Sequence, residues 1–273
     1  MKISVYGASG FIGSNYKSLS KNEVDPVSRN LPVPAFDNIL YFIGTTDNYN
    51  IFSNPTLDIE VNLKLLMENL EGIRQKFGSF SFNFISSWFV YGDGQIPPFR
   101  EEDNCKPKGF YSISKYAAEL FVMSYCSTYE IPYRIIRLGN VFGVNDKGIS
   151  KKKNALQYLI HRLKENQCIE LYEGGEFFRD YIDVRDIVRA IDLILDSNLI
   201  NLVINVGSGL PIKFIDVILE AKEIFNSTSK IEYIDTPAFH KTVQVKDAWL
   251  DISKLQSLGF EIKYPLLKEI VNL

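Results

Sequence analysis

The sequence predicts an α/β protein built on a doubly wound parallel sheet, and three observations carry that reading. Short apolar runs alternate along the chain with segments of helical periodicity. These runs lack strict polar alternation, which suits strands covered by helices on both faces. The first of them leads directly into "GASGFIG" at residues 7–13, so that a strand, a glycine-rich turn and a helix start follow one another. With 46% of its 273 residues hydrophobic and 23% charged, the chain can bury one large core or two small ones and is too apolar to stay disordered.

Ile3–Tyr6 reads as the first strand, and a helix starts at Ile12. Val24–Val27 and Ile39–Ile43 read as the next two strands. Between Gly7 and Asp37 the chain must also fit "NLPVPAF", where Pro32 and Pro34 oppose a helix. That is too little chain for a full βαβαβ half, so the second crossover helix is expected to be reduced or absent. A helix across Ile59–Leu70, a strand at Phe80–Ile85, a helix across Tyr111–Tyr125 and a strand at Tyr133–Leu138 continue the alternation. After Gly143 it breaks into "VNDKGISKKKN", read as a solvated loop with a phosphate contact from Lys151–Lys153 as the alternative, before a helix over Ala155–Lys164.

Several functions are set aside by composition. A net charge of −3 gives no general attraction to nucleic acid or to anionic membranes, so neither is expected as a partner. Cys105, Cys126 and Cys168 are widely spaced, odd in number and outside any C-x-x-C pattern, which supports neither a disulfide framework nor a zinc site and suits a reducing compartment. His161 and His240, the only histidines, lie far apart in sequence, and no metal site is expected. No run reaches the roughly 20 apolar residues that span a bilayer. Met1 and Lys2 pass straight into the first strand, so a soluble, cytoplasmic protein is expected.

Gly7, Gly10 and Gly13 form a G-x-x-G-x-x-G turn in which backbone can approach a pyrophosphate and a helix start offers free N–H groups; a plain tight turn would use the same glycines. After the second strand, a site for NAD places an acidic residue on the ribose 2′-hydroxyl. Here "VDPVSRN" brings Ser28 and Arg29, which suits a 2′-phosphate unless Arg29 is an ordinary surface side chain. "YSISK" sets Tyr111 and Lys115 at i and i+4 on one helix face, where an ammonium would lower the phenol's pKa and fit it for proton transfer at a carbonyl or hydroxyl.

In order along the chain, "GASGFIG", "YFIGTT" (41–46), "DIEVN" ending in Asn62, "FISSWFVYG" (84–92), "YSISK", "RLGNVFG" (137–143), "RDYIDVRDIVRAI" (179–191), "INVGSG" and "LDISKLQSLGF" resemble the extended short-chain dehydrogenase/reductase family, in its nucleotide-sugar branch of epimerases, dehydratases and reductases. The resemblance covers nearly the whole chain. It implies a Rossmann-like NAD(P)-binding domain over 1–145 and a smaller substrate-binding lobe over 146–273, with segments returning to the first domain. It implies Ser87, Tyr111 and Lys115 as catalytic residues: Ser87 on the reacting oxygen, Tyr111 as general acid/base, and Lys115 on the nicotinamide ribose while lowering the Tyr111 pKa. Cofactor contacts are implied for Gly7, Ser9, Gly10, Phe11, Ile12 and Gly13 in the turn, Ser28 and Arg29 after the second strand, Gly44 and Thr45, Tyr111, Lys115, and Leu138. Substrate contacts are implied for Ser87, Trp88, Asn140 and Arg179, the last on phosphate unless it pairs with Asp180 or Asp183. Where the family often carries a second phosphate-binding arginine the chain has His240 and Lys241, and Lys241 would take that place as a point charge.

The resemblance also narrows the reaction. The acidic pair that dehydratases carry after the catalytic hydroxyl is replaced by Trp88 and Phe89, and the cysteine used for 3,5-epimerisation is missing. The expected activity is reduction of a nucleotide-linked 4-keto-(6-deoxy)hexose by NADP in its reduced form, as in polysaccharide biosynthesis. Arg29 and a short first half that covers the adenosine end less, easing cofactor exchange, favour it. A 4-epimerase that retains NAD is the alternative, and a non-catalytic NADP-binding regulatory protein is a third reading, opposed by the intact Ser87, Tyr111 and Lys115 set. The family pairs the helices equivalent to 59–70 and 111–125 in a homodimer, so a homodimer is implied unless these faces pack within the monomer.

Overall fold

The computed structural model describes residues 1–29, 32–146, 150 and 154–273; Lys151–Lys153, read above as a loop, lie outside the described residues. β1 (Lys2–Tyr6) is followed by α1 (Phe11–Leu19), β2 (Glu23–Val27) and β3 (Asn38–Tyr41). A short α2 (Leu57–Ile59), a π-helical turn (Glu60–Lys64) and α3 (Leu65–Phe77) run end to end. Next come β4 (Ser81–Ser87), α4 (Phe110–Thr128), β5 (Tyr133–Leu138) and β6 (Asn140–Phe142). α5 (Ala155–Lys164), β7 (Ile169–Tyr172), β8 (Phe178–Arg179) and β9 (Tyr181–Asp183) lead into α6 (Val184–Asp196), β10 (Leu202–Val206), β11 (Ile212–Lys213) and α7 (Phe214–Ile224). β12 (Ile231–Ile234), α8 (Ala238–Val243), α9 (Ser253–Gln256) and α10 (Leu266–Glu269) complete the chain.

The main sheet has the order β10-β5-β4-β3-β1-β2 with every pair parallel. After β2 the chain crosses back over β1, and no helix forms among the described residues of 28–37, so the second crossover helix is absent. Hydrogen bonds hold that connection instead. Ser4 Oγ donates to Asp25 at 2.9 Å and accepts the Phe36 N–H at 2.8 Å, while the Ala35 N–H donates to Asp25 at 2.8 Å. Pro26 is tolerated within β2 because β2 is the sheet edge and has no second neighbour needing its N–H.

Period-two alternation sends the strand side chains to two cores. Ile3, Val5, Leu40, Ile136 and Ile204 pack under α1 and α6; Tyr6, Ile39, Tyr41, Phe82 and Ile135 pack under α3 and α4. Asp192 of α6 locks the first layer by accepting from Tyr16 (2.8 Å), Ser20 (2.7 Å) and Asn22 (2.9 Å) around α1. A further core forms around Phe142, Leu159, Ile160, Leu171 and Ile218 from α5, α7 and the β7–β12 pair. The chain returns from there through α6 to the main sheet, where β10 pairs with β5. Among the described residues no helix is long and apolar enough to cross a membrane.

α4 is fixed to the sheet by a buried ion pair. Arg137 of β5 meets Glu119 of α4 at 2.7 Å, with side chains 4% and 0% exposed, and Ser86 of β4 donates to the same carboxylate. Removing one partner strands a charge in the core. Glu119→Ala is therefore expected to destabilise the protein by about 3–5 kcal/mol, and a Glu119→Leu/Arg137→Met pair to recover most of it, as read from urea unfolding midpoints.

Candidate active site

The C-terminal ends of the parallel strands carry the candidate site, where open α/β sheets bind ligands. Gly7, leaving β1, has φ +80°, a conformation glycine adopts freely, and its carbonyl accepts the Gly10 N–H at 3.0 Å. A Cβ on Gly13 would sit 2.3 Å from the Gly7 carbonyl oxygen, so glycine there lets α1 start hard against its own strand. A Cβ on Gly10 would meet only that same oxygen, at 3.4 Å, leaving open space over the helix start. With no acidic residue in the first turn of α1, the cradle fits a pyrophosphate.

A cavity of about 990 Å³ opens over this turn, and the residues assigned to the cofactor line it together: Gly7, Ser9, Gly10, Phe11, Ile12 and Gly13, Ser28 and Arg29, Gly44 and Thr45, Tyr111, Lys115 and Leu138. Ser28 and Arg29 are exposed at its rim. The buried Asn62, in the π-helical turn, accepts the Thr45 N–H at 2.9 Å and donates to Thr45 Oγ1 and Ser114 Oγ at 2.8 Å each, holding the loop after β3 against α4. A Cβ on Gly44 would lie 3.2 Å from Asn62 Oδ1 and 3.4 Å from Lys115 Nζ, so a larger residue there would press on both side chains.

A second cavity, of about 1020 Å³, is lined by Ser87, Trp88, Asn140, Arg179 and Lys241. The two cavities share Ser87 and Tyr111 in their walls. Ser87 ends β4 and accepts the Phe89 N–H at 3.3 Å. Burial raises the Tyr111 phenol above its ordinary pKa, the hydrogen bond with Ser87 opposes this, and the charges of Asp58 and Asp47 add to it. The net direction is opposite to the one suggested by the spacing of Tyr111 and Lys115. Lys115 Nζ donates to the Ile85 carbonyl at 2.6 Å and lies 4.2 Å from the Phe84 ring centroid. Burial pushes Lys115 itself down to about 8, against an upward pull from Glu119.

Trp88 stacks on Phe89, with centroids 4.1 Å apart, and its indole N–H donates to Asn140 Oδ1 at 3.2 Å. Asn140 Nδ2 donates in turn to the Asp180 carbonyl at 3.0 Å. Arg179 pairs with neither Asp180 nor Asp183. Its guanidinium donates to the carbonyls of Phe178 (2.8 Å), Val245 (2.7 Å) and Lys246 and stacks on Phe177 at 4.6 Å. Asp180 faces the other way and accepts from Ser208 N–H and Oγ at 2.6 Å each, while Asp183 caps α6 and pairs with Arg185 at 2.8 Å. Lys241 is exposed on α8 along the same cavity. Asn48, Tyr49, Lys108 and Phe239 also line this cavity and escaped the sequence reading, because nothing local marks them as neighbours of Tyr111.

Comparison with known proteins agrees with this fold. The family described as "NAD dependent epimerase/dehydratase family" matches residues 32–207. The "Low-salt glycan biosynthesis protein Agl12" of Haloferax volcanii is 31% identical over 65% of this chain and 55% of its own length. A "Putative UDP-glucose 4-epimerase" of Methanocaldococcus jannaschii is 28% identical over 82% of this chain and 72% of its own. The chain thus spans about half the length of the first of these relatives. Among solved structures, RMD from Pseudomonas aeruginosa, complexed with NADPH, shares the fold with a TM-score of 0.85 at 22% identity, covering 99% of this chain and 96% of that one.

The Lys115 environment is directly testable. In spectra of the protein with ¹³C-labelled lysine, one Cε resonance is expected to titrate near 8 and to vanish in Lys115→Met. Because the ordinary lysine pKa is about 10.4, the unfolded chain holds the proton more tightly. Burial of the charge therefore costs stability below pH 8, and that cost fades as the pH rises toward 10.

Proposed function

Since the chain belongs to the NAD dependent epimerase/dehydratase family, we propose that it is an NADPH-dependent reductase of a nucleotide-linked 4-keto-6-deoxyhexose, with Tyr111 as the proton donor. The observation that carries this is the meeting of the two cavities at Ser87 and Tyr111, where the phenol is kept protonated. A bound nicotinamide supplies hydride chemistry. The glycine-turn N–H groups would hold its pyrophosphate, Lys115 its nearer ribose, and Arg29 a 2′-phosphate, for which a guanidinium is suited as an acidic side chain is not.

The remaining roles belong to the chain's own residues. Ser87 hydrogen-bonds the carbonyl oxygen of the sugar, and Tyr111 delivers its phenolic proton to that oxygen as negative charge develops there. A phenol with a raised pKa suits delivery better than removal of a proton. In the second cavity Asn140, held by Trp88 and the Asp180 carbonyl, presents its remaining amide proton, and Lys241 offers its charge to the diphosphate. The three cysteines stay unpaired, which suits a reducing cytoplasm. The relation to a glycan biosynthesis protein fits an enzyme that prepares a sugar donor. Ile113, Leu120 and Phe121 stand exposed along one side of α4 and offer a face for a homodimer.

A second reading, a 4-epimerase that retains NAD, is favoured by the identity with the methanogen's putative epimerase over most of this chain. It requires Tyr111 to begin as a base, which its raised pKa opposes.

Fluorescence titration separates the two. Wild type is expected to bind NADPH more tightly than NADH, and Arg29→Ala to lose roughly tenfold in NADPH affinity while leaving NADH unchanged; tightly retained NAD would favour the epimerase. In a screen of UDP-, dTDP- and GDP-linked 4-keto-6-deoxyhexoses, Tyr111→Phe is expected to lower kcat by about 10²–10⁴-fold with cofactor binding intact. Unimpaired turnover in that variant would remove Tyr111 from the chemistry.

A further inference from the structure

α4 begins without a cap of its own. Its N-cap residue, Gly109, is extended (φ −115°, ψ 165°) and has no side chain to accept a helix N–H. Ser112 Oγ accepts the Gly109 N–H at 2.9 Å, which is the half of a capping box that a glycine N-cap can keep. The other half comes from a different part of the chain. Asn48, 4% exposed, points its Oδ1 at the Tyr111 N–H, 3.2 Å away. Tyr111 is the second residue of α4, and the N–H at that position is one that an N-cap oxygen ordinarily takes. Gly109 is the matching requirement: a Cβ there would lie 2.1 Å from Asn48 Oδ1. Position 109 can carry no cap while Asn48 supplies one.

Asn48 also opens a 3₁₀ turn, Asn48–Phe52, whose own start is held by Asp47 accepting the Tyr49 N–H at 2.7 Å. That turn reaches across the cleft to α8. The Tyr49 and Phe52 rings meet Phe239 edge-on, with centroids 5.1 and 4.6 Å apart, and Tyr49 Oη lies 3.3 Å from His240 Nδ1. All four rings line the same cavity as Ser87 and Tyr111.

We propose that Asn48 is a positioning residue: it caps α4 in trans at Tyr111 and, through the turn it opens, ties the setting of Tyr111 to closure of the cleft against α8. The functional part rests on the reading of Tyr111 as proton donor.

The test uses the NADPH-loaded protein and two readouts: amide hydrogen exchange at Tyr111, and kcat and KM on the 4-keto sugar that wild type reduces. Asn48→Ala is expected to speed exchange at Tyr111 and to lower kcat, each roughly fivefold, the scale of a lost N-cap, with NADPH affinity unchanged. Gly109→Ser is expected to be harmful alone but to rescue both readouts in the Asn48→Ala background, where the vacated space admits a local cap. Phe239→Ala, which alters neither partner of the cap, is expected to speed Tyr111 exchange as well. Unchanged exchange in Asn48→Ala, or additive damage from the two substitutions, overturns the cap; unchanged exchange in Phe239→Ala overturns the tie to closure. If exchange responds as expected while Tyr111→Phe still turns over substrate, the cap stands and the assignment of Tyr111 as donor falls.

Discussion

The Arg137–Glu119 ion pair is the contact on which the site geometry depends. Tyr111, Lys115 and Glu119 follow one another at four-residue steps on one face of α4. Glu119 is held in the core by Arg137 and Ser86, and Lys115 is held one turn earlier by the Ile85 carbonyl. With two of the three fixed to adjacent strands, the rotation of the helix is settled and the third must emerge at the end of β4, beside Ser87. A buried ion pair returns little net stability after desolvation. Its effect here is orientation, since no other rotation of α4 gives both charges a partner.

Much of the fold was legible in the sequence because its signals are local. The strand at Tyr133–Leu138 and the helix at Ala155–Lys164 have the same limits in the structure, where apolar runs and polar flanks are unambiguous. The missing second crossover followed from chain length and two prolines. By contrast, the helix read at Ile59–Leu70 runs from Leu57 to Phe77 and is interrupted by a π-helical turn at Glu60–Lys64, where the buried Asn62 serves Thr45 and Ser114. Spacing also put Tyr111 and Lys115 on one face correctly but gave the wrong sign for the phenol's pKa. An i, i+4 pattern fixes proximity along a helix; it does not say that a strand carbonyl will take the ammonium, or that burial will outweigh charge. Arg179 lines the second cavity, but two of the carbonyls that hold its guanidinium lie at residues 245 and 246, too far along the chain for local spacing to reveal.

Burial acts on the two groups in opposite directions but toward one result. It raises the acid that would become negative, Tyr111, and lowers the base that is positive, Lys115, so each is pushed toward its neutral form. At neutral pH Lys115, at about 8, still holds its proton and its charge, and the phenol holds its own. That protonation pattern is ready to give a proton to a carbonyl oxygen acquiring charge, and it must be reversed before the same phenol can take one.

The aromatic residues after Ser87 contribute to this bias. Phe89 stacks on Trp88 and presents its edge to Tyr111, with ring centroids 6.0 Å apart. A carboxyl side chain at either position would keep water beside the phenol and offer a second proton-transfer group. Rings exclude both. Phe89 thus supplies apolar surface beside Tyr111, and desolvation is the largest influence on the phenol's pKa.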